Sequence, residues 1–261
     1  PFLFWTFIGL VFDIVFMHSI KLSDLSLKFI VDGVINNKFT TIYWFFMPLF
    51  GIYLSMPLFA AIEEEKRLTI FKYLFIAGFI LNGTIPFLIS AFHLNMDWPL
   101  GVNVVSGYAI FIAMGYLIHK IDFTPSQRCL IYILGIAGFI MHFGGTYFES
   151  YAINEVSQTY KNLMQAPILM YSGAVFLFIK QIASIVMSTK LGGVVHFVKK
   201  YTFAIYLMHY YIIEILNRYL HLANYTKSII YRVGMPFIVI PITIILTALI
   251  RKLKIGKKLL P

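Results

Sequence analysis

The 261-residue chain is 60% hydrophobic and 18% aromatic, with only 12% charged residues and a mean hydropathy of +0.83, more apolar than a soluble core requires. Its net charge of +10 is spread over short loops and a tail instead of one amphipathic face, which argues against a nucleic-acid binder. The single cysteine, Cys129, excludes an internal disulfide and any Cys-based metal motif.

A bilayer crossing takes roughly 20 predominantly apolar residues. In chain order, stretches close to that length run over 1–17, 42–62, 70–90, 100–118, 129–146, 166–187, 201–217 and 228–250. All are expected to be helices, because lipid offers no partner to an open sheet edge. The reading is an all-α, polytopic transmembrane helix bundle of about eight spans, forming one domain over 1–261. The first stretch begins at Pro1 with no initiator Met, no basic n-region and no small-residue cleavage site, so it reads as a nearly whole crossing of a fragment and not as a signal peptide.

The longest connections are His18 to Thr41 and Gly144 to Gln165, and alternation of the spans places them on one side. The second mixes Tyr147, Phe148, Tyr151 and Tyr160 with Glu149 and Glu155. Such a mixture suits stacking on sugar rings and equally suits anchoring at a bilayer interface. With the amino end inside, thirteen Lys and Arg fall on the inner connections and the tail, against six on the outer side. The positive-inside rule then puts both ends in the cytoplasm, where the tail from Arg251 to Lys258 meets an anionic leaflet.

Several spans hold groups that lipid disfavours. Pro48, Pro57, Pro86, Pro236 and Pro241 each remove a helical hydrogen bond, which suits kinked helices around a cavity and also fits the ordinary frequency of proline in membrane helices. Asp13, Lys180, Glu214 and Arg232 are ionisable residues within spans, where a charge at the centre costs about 2.5–3.5 kcal/mol. Lys180 is expected to snorkel inward, Arg232 to snorkel outward or pair with a carboxylate, and Glu214 to sit near an interface. Asp13 is the hardest to place without a function. Of the seven histidines only His209 lies deep in a span, and no pair has the i, i+4 spacing with a nearby carboxylate that a zinc hydrolase needs. A lone histidine there reads as packed and hydrogen-bonded or as a cavity residue.

The local sequences carry a resemblance. The run from Tyr43 to Leu58, with Trp44-Phe45 at its head, Tyr53-Leu54 in its middle and Pro57-Leu58 at its end, resembles the fourth helix of the membrane-bound acyltransferase 3 family. Ala204-Ile205-Tyr206-Leu207-Met208-His209 is similar to a late helix of that family, and Gly107 to Leu117, Ser172 to Phe178 and the basic end of the last span fit in kind. The resemblance covers essentially the whole chain and implies a ten-helix bundle lacking its first two helices here. It implies transfer of an acyl group, commonly acetyl from acetyl-CoA, across an inner or plasma membrane to a sugar hydroxyl of a lipid-linked or surface polysaccharide. Acyl-CoA would be a substrate, with no bound cofactor and no metal.

The resemblance also implies that the family's Arg and His in its first helix, and an arginine pair before its third, lie upstream of Pro1, so these 261 residues alone are expected to be inactive. On the motifs present, Trp44, Tyr206 and His209 are expected to line a cavity or touch substrate, together with the intramembrane Asp13. Lys66, Arg67 and Lys72 are the cations expected to meet the phosphates of the donor, although Glu63, Glu64 and Glu65 offset their field. The rival reading is a transporter or flippase of a lipid-linked glycan. It calls for related halves with matched broken helices, and the sequence shows none.

Overall fold

The computed structural model describes residues 2–253 and 256–260. In chain order its α-helices are α1 (Phe2–Phe12), α2 (Leu27–Ile35), α3 (Phe46–Ala60), α4 (Glu64–Gly78), α5 (Ile85–Ala91), α6 (Ala109–Lys120), α7 (Pro125–Ile153), α8 (Ala166–Met187), α9 (Lys190–Val198), α10 (Thr202–Tyr219), α11 (Ile229–Ile250) and α12 (Gly256–Leu259). No strand occurs among the described residues, as the all-α reading requires. Five continuous helical stretches are long and apolar enough to cross a membrane: Thr41–Ala60, Glu64–Ala91, Pro125–Ile153, Ala166–Met187 and Ile229–Ile250. Phe2–Met17 and Ala109–Lys120 are shorter apolar helices. The chain divides into two compact units, Pro1–Met47 with Thr189–Pro261, and Pro48–Ser188.

In the first unit a tyrosine cluster joins α1, α10 and the 3-10 turn Thr41–Phe45. The fully buried Tyr43 donates its hydroxyl to the Leu207 carbonyl at 2.7 Å, and Tyr211 donates to the Trp5 carbonyl at 3.2 Å. With both phenol protons so committed, the Thr40 hydroxyl supplies the hydrogen of its 3.1 Å bond to Tyr211. Gly9 admits this cluster, because a Cβ there would collide with the Thr40 hydroxyl. α1 ends in a π-helical turn, Asp13–Met17, and the left-handed His18. The Arg218 guanidinium donates to the Phe16 carbonyl within that turn. On α2, the hydrogen bond from the Lys38 ammonium holds the Asp32 carboxyl below the usual carboxylate range.

In the second unit Phe71 on α4, Ile110, Ala113 and Leu117 on α6 and Leu169 on α8 form a buried core. The stretch expected to cross at 100–118 is helical only from Ala109 apart from the 3-10 turn Asn103–Val105, and α6, about 18 Å long, is shorter than a full crossing. The reason lies in the preceding helix. A π-helical turn at Phe79–Thr84 presents Asn82, whose side chain donates to the Val102 carbonyl at 3.0 Å and accepts from the Val102 N–H at 2.8 Å. Trp98 Nε1 donates to the Leu81 carbonyl at 2.9 Å. The two Asn82 bonds satisfy the non-helical backbone at Val102, and Gly107 at φ +56° turns the chain into α6.

α7 begins with a full capping box: Thr124 accepts from the Gln127 N–H, and Gln127 returns the bond. It runs to Ile153, so the connection that follows begins seven residues later than the expected boundary at 146. α7 packs on α8 at backbone distance, since a Cβ on Gly135 would strike the Ala174 methyl and one on Gly138 the Pro167 carbonyl. Lys180 ties α8 to the end of α6, its ammonium donating to the carbonyls of Ile118, His119 and Ile121 at 2.8, 3.0 and 3.2 Å. The expected snorkelling therefore ends on a helix C-terminus, where a cation meets the negative end of the dipole.

Candidate functional site

α10 carries two stripes. Ala204, Leu207, Met208, Tyr211 and Ile212 form its buried face. Thr202, Ile205, His209 and Ile213, at helical spacing along a neighbouring stripe, wall a cavity of about 560 Å³ with Tyr206. The other wall comes from α11, where Arg232, Met235, Pro236, Val239 and Ile240 repeat every three or four residues, and Tyr231 completes it. His209 lies about 10 Å along the helix from Thr202. The cavity is therefore a largely apolar slot with one imidazole partway along it and one guanidinium toward the far end of α10.

The chemistry of that imidazole follows from its partners. Nδ1 stands 2.8 Å from the Tyr206 carbonyl and 3.0 Å from the Ile205 carbonyl. Carbonyls only accept, so Nδ1 carries the proton. Nε2 has no hydrogen-bond partner among the described residues. Tyr206 is fixed by donating its hydroxyl to the Ile42 carbonyl at 2.6 Å. Arg232 donates Nε to the Thr226 carbonyl at 3.0 Å, in the loop before its helix, and makes no ion pair among the described residues.

The residues singled out from sequence fall into three groups. Tyr206 and His209 share the cavity. Trp44 is 48% exposed beside Phe45 and is not part of that lining. Asp13 opens the π-helical turn at the end of α1, apart from the cavity lining. Asp13 and Glu214 both act electrostatically on Tyr210. Sequence reasoning did not join Tyr231, Arg232 and Pro236 to His209; the charged residue one turn inside a span and the following proline were the available signal.

Lys66, Arg67 and Lys72, all in the second unit, are unequal. Lys66 pairs with Glu63 at 2.6 Å. Arg67 caps α3, donating to the carbonyls of Ala60 at 3.1 Å and Ile62 at 2.7 Å. Lys72 makes no ion pair or hydrogen bond among the described residues and borders an apolar cavity of about 220 Å³ with Phe75, Met114 and Phe123. On the family resemblance, which implies an acyl-CoA donor, Lys72→Ala is expected to raise the KM for that donor several-fold with little change in melting temperature. Arg67→Ala is expected to lower the melting temperature, by the loss of about 1.5–3 kcal/mol of charge-assisted capping at most, and to leave KM unchanged. Steady-state kinetics and thermal unfolding on the two variants separate these outcomes.

A family model described as an acyltransferase domain, that of the acyltransferase 3 family, matches residues 1–251. No curated protein matches the chain, and no solved structure does.

Proposed function

The chain belongs to the acyltransferase 3 family and is a multi-pass membrane acyltransferase, and from that premise we propose that it transfers an acyl group, acetyl from acetyl-CoA in the first instance, to a sugar hydroxyl of a surface or lipid-linked polysaccharide. We place it in the cell membrane as a single transmembrane acyltransferase domain, with both described ends toward the cytoplasm. The Lys and Arg asymmetry supports that orientation.

The observation that carries the reading is the cavity between α10 and α11, where His209 Nε2 has no hydrogen-bond partner among the described residues in an apolar setting. In the transfer the hydroxyl oxygen attacks the thioester carbonyl carbon, the carbon–sulfur bond breaks, and the thiol leaves. The hydroxyl proton must go to a base as that bond forms. His209 is suited to contact the hydroxyl and share that proton. Of Lys66, Arg67 and Lys72, the last is without a partner among the described residues and suits a donor phosphate.

The test is chemical. Cells lacking the gene are expected to lose alkali-labile acyl esters from their surface polysaccharide, read by proton NMR, and to regain them on complementation. Unchanged ester content in the deletion strain would refute the polysaccharide acceptor.

A further inference from the structure

The outer end of α7 holds a second cavity, remote in sequence from His209 and of different character. It has a volume of about 640 Å³. Phe143, Tyr147 and Tyr151 follow one another at i, i+4 and i+8, so their rings form a stripe about 12 Å long on one face of the helix. All three are exposed, Tyr151 to 79%. Asn154, Glu155 and Lys161 line the same cavity, and their side chains make no hydrogen bond among the described residues.

The segment bearing those polar groups is held in place. Ser157 and Thr159 donate to the Glu149 carboxylate, the second at 3.0 Å, and the Ser157 N–H donates to Ser150 Oγ at 2.9 Å. His142 Nδ1 bonds the Tyr160 carbonyl, and the Tyr160 ring lies flush on Gly145, where any Cβ would collide with it. These bonds fix the polar wall without using its three outermost groups.

We propose that this concavity is a carbohydrate-binding site that holds a stretch of the acceptor glycan, with sugar rings on the aromatic stripe and their hydroxyls on Asn154, Glu155 and Lys161. The inference rests on the sugar-acceptor reading above. A pyranose has apolar C–H faces and a polar rim, and it needs a ring beneath and both donors and acceptors beside it. Asn154 offers both, Glu155 accepts and Lys161 donates. The opposite charges of Glu155 and Lys161 favour a neutral or weakly charged glycan over a polyanion. An interfacial aromatic belt accounts for exposed tyrosines but calls for no ordered wall of unpartnered polar groups facing them.

The test uses the purified whole protein in nanodiscs and oligosaccharides cut from the producing cell's own surface polysaccharide, with their acyl esters removed. Binding is measured by titration calorimetry for the natural protein, for Tyr147→Ala with Tyr151→Ala, for Asn154→Gly, which keeps the left-handed backbone at φ 53°, and for Phe148→Ala as a control outside the cavity lining. The double variant is expected to bind about tenfold or more weakly, Asn154→Gly several-fold more weakly, and Phe148→Ala unchanged. Equal binding by the natural protein and the double variant would overturn the site while leaving the sugar acceptor intact. No binding by the natural protein would overturn both.

Discussion

Replacing His209 with alanine in the whole encoded protein is expected to lower the kcat of acyl transfer by about 100-fold or more, with a much smaller change in KM for the donor. The magnitude is that of a lost proton-handling group in a transition state. Nδ1 is already committed to the Tyr206 and Ile205 carbonyls, so Nε2 is the nitrogen left to meet a substrate hydroxyl under the proposed function. His209→Gln, which retains polarity but not the basic nitrogen, should be nearly as slow. Steady-state kinetics on membranes containing equal amounts of each variant make the measurement. A kcat within twofold of the natural protein for both variants would reduce His209 to a packed, hydrogen-bonded residue.

The second large effect is structural. Gly138→Val is expected to destabilise the second unit by about 1–3 kcal/mol, read as a lower melting temperature in detergent. Even a Cβ at Gly138 meets the Pro167 carbonyl and the Met170 side chain, and the branched methyls of valine add to that conflict. Pro167 sits in the first turn of α8 with its φ fixed, so the helix cannot rotate its carbonyl away cheaply. By contrast Gly51 and Gly193 have open space at the Cβ position, and alanine there should leave the melting temperature within error. Equal melting of the Gly138 and Gly51 variants would contradict the close approach of α7 and α8.

The long apolar helices are legible from sequence because burial in lipid demands one property over an unbroken length. α8 runs over Ala166–Met187, the bounds expected, and α11 begins one residue later than expected despite Pro236 and Pro241. Residues 100–108 are equally apolar in places but follow a different rule. The Val102 N–H and carbonyl there are satisfied by Asn82, a partner that hydropathy does not register. α7 runs past the expected end at 146 to Ile153, and within it Gly145 makes room for the Tyr160 ring.

The candidate site was half legible. The Tyr206-Leu207-Met208-His209 run announced one wall through family likeness, whereas Tyr231, Arg232 and Pro236 joined it only through packing of α11 on α10. Arg67 shows the converse, because a cation in a basic cluster reads as a phosphate ligand until the carbonyls it caps are seen.

The central claim, acyl transfer through the membrane, is tested most directly in sealed proteoliposomes of the whole encoded protein. Labelled acetyl-CoA is supplied only on the side of the basic tail, and de-esterified glycan only on the other. The account predicts alkali-labile label on the glycan, dependent on His209. Label that appears only when both substrates share one side, or no ester in either arrangement, would contradict it.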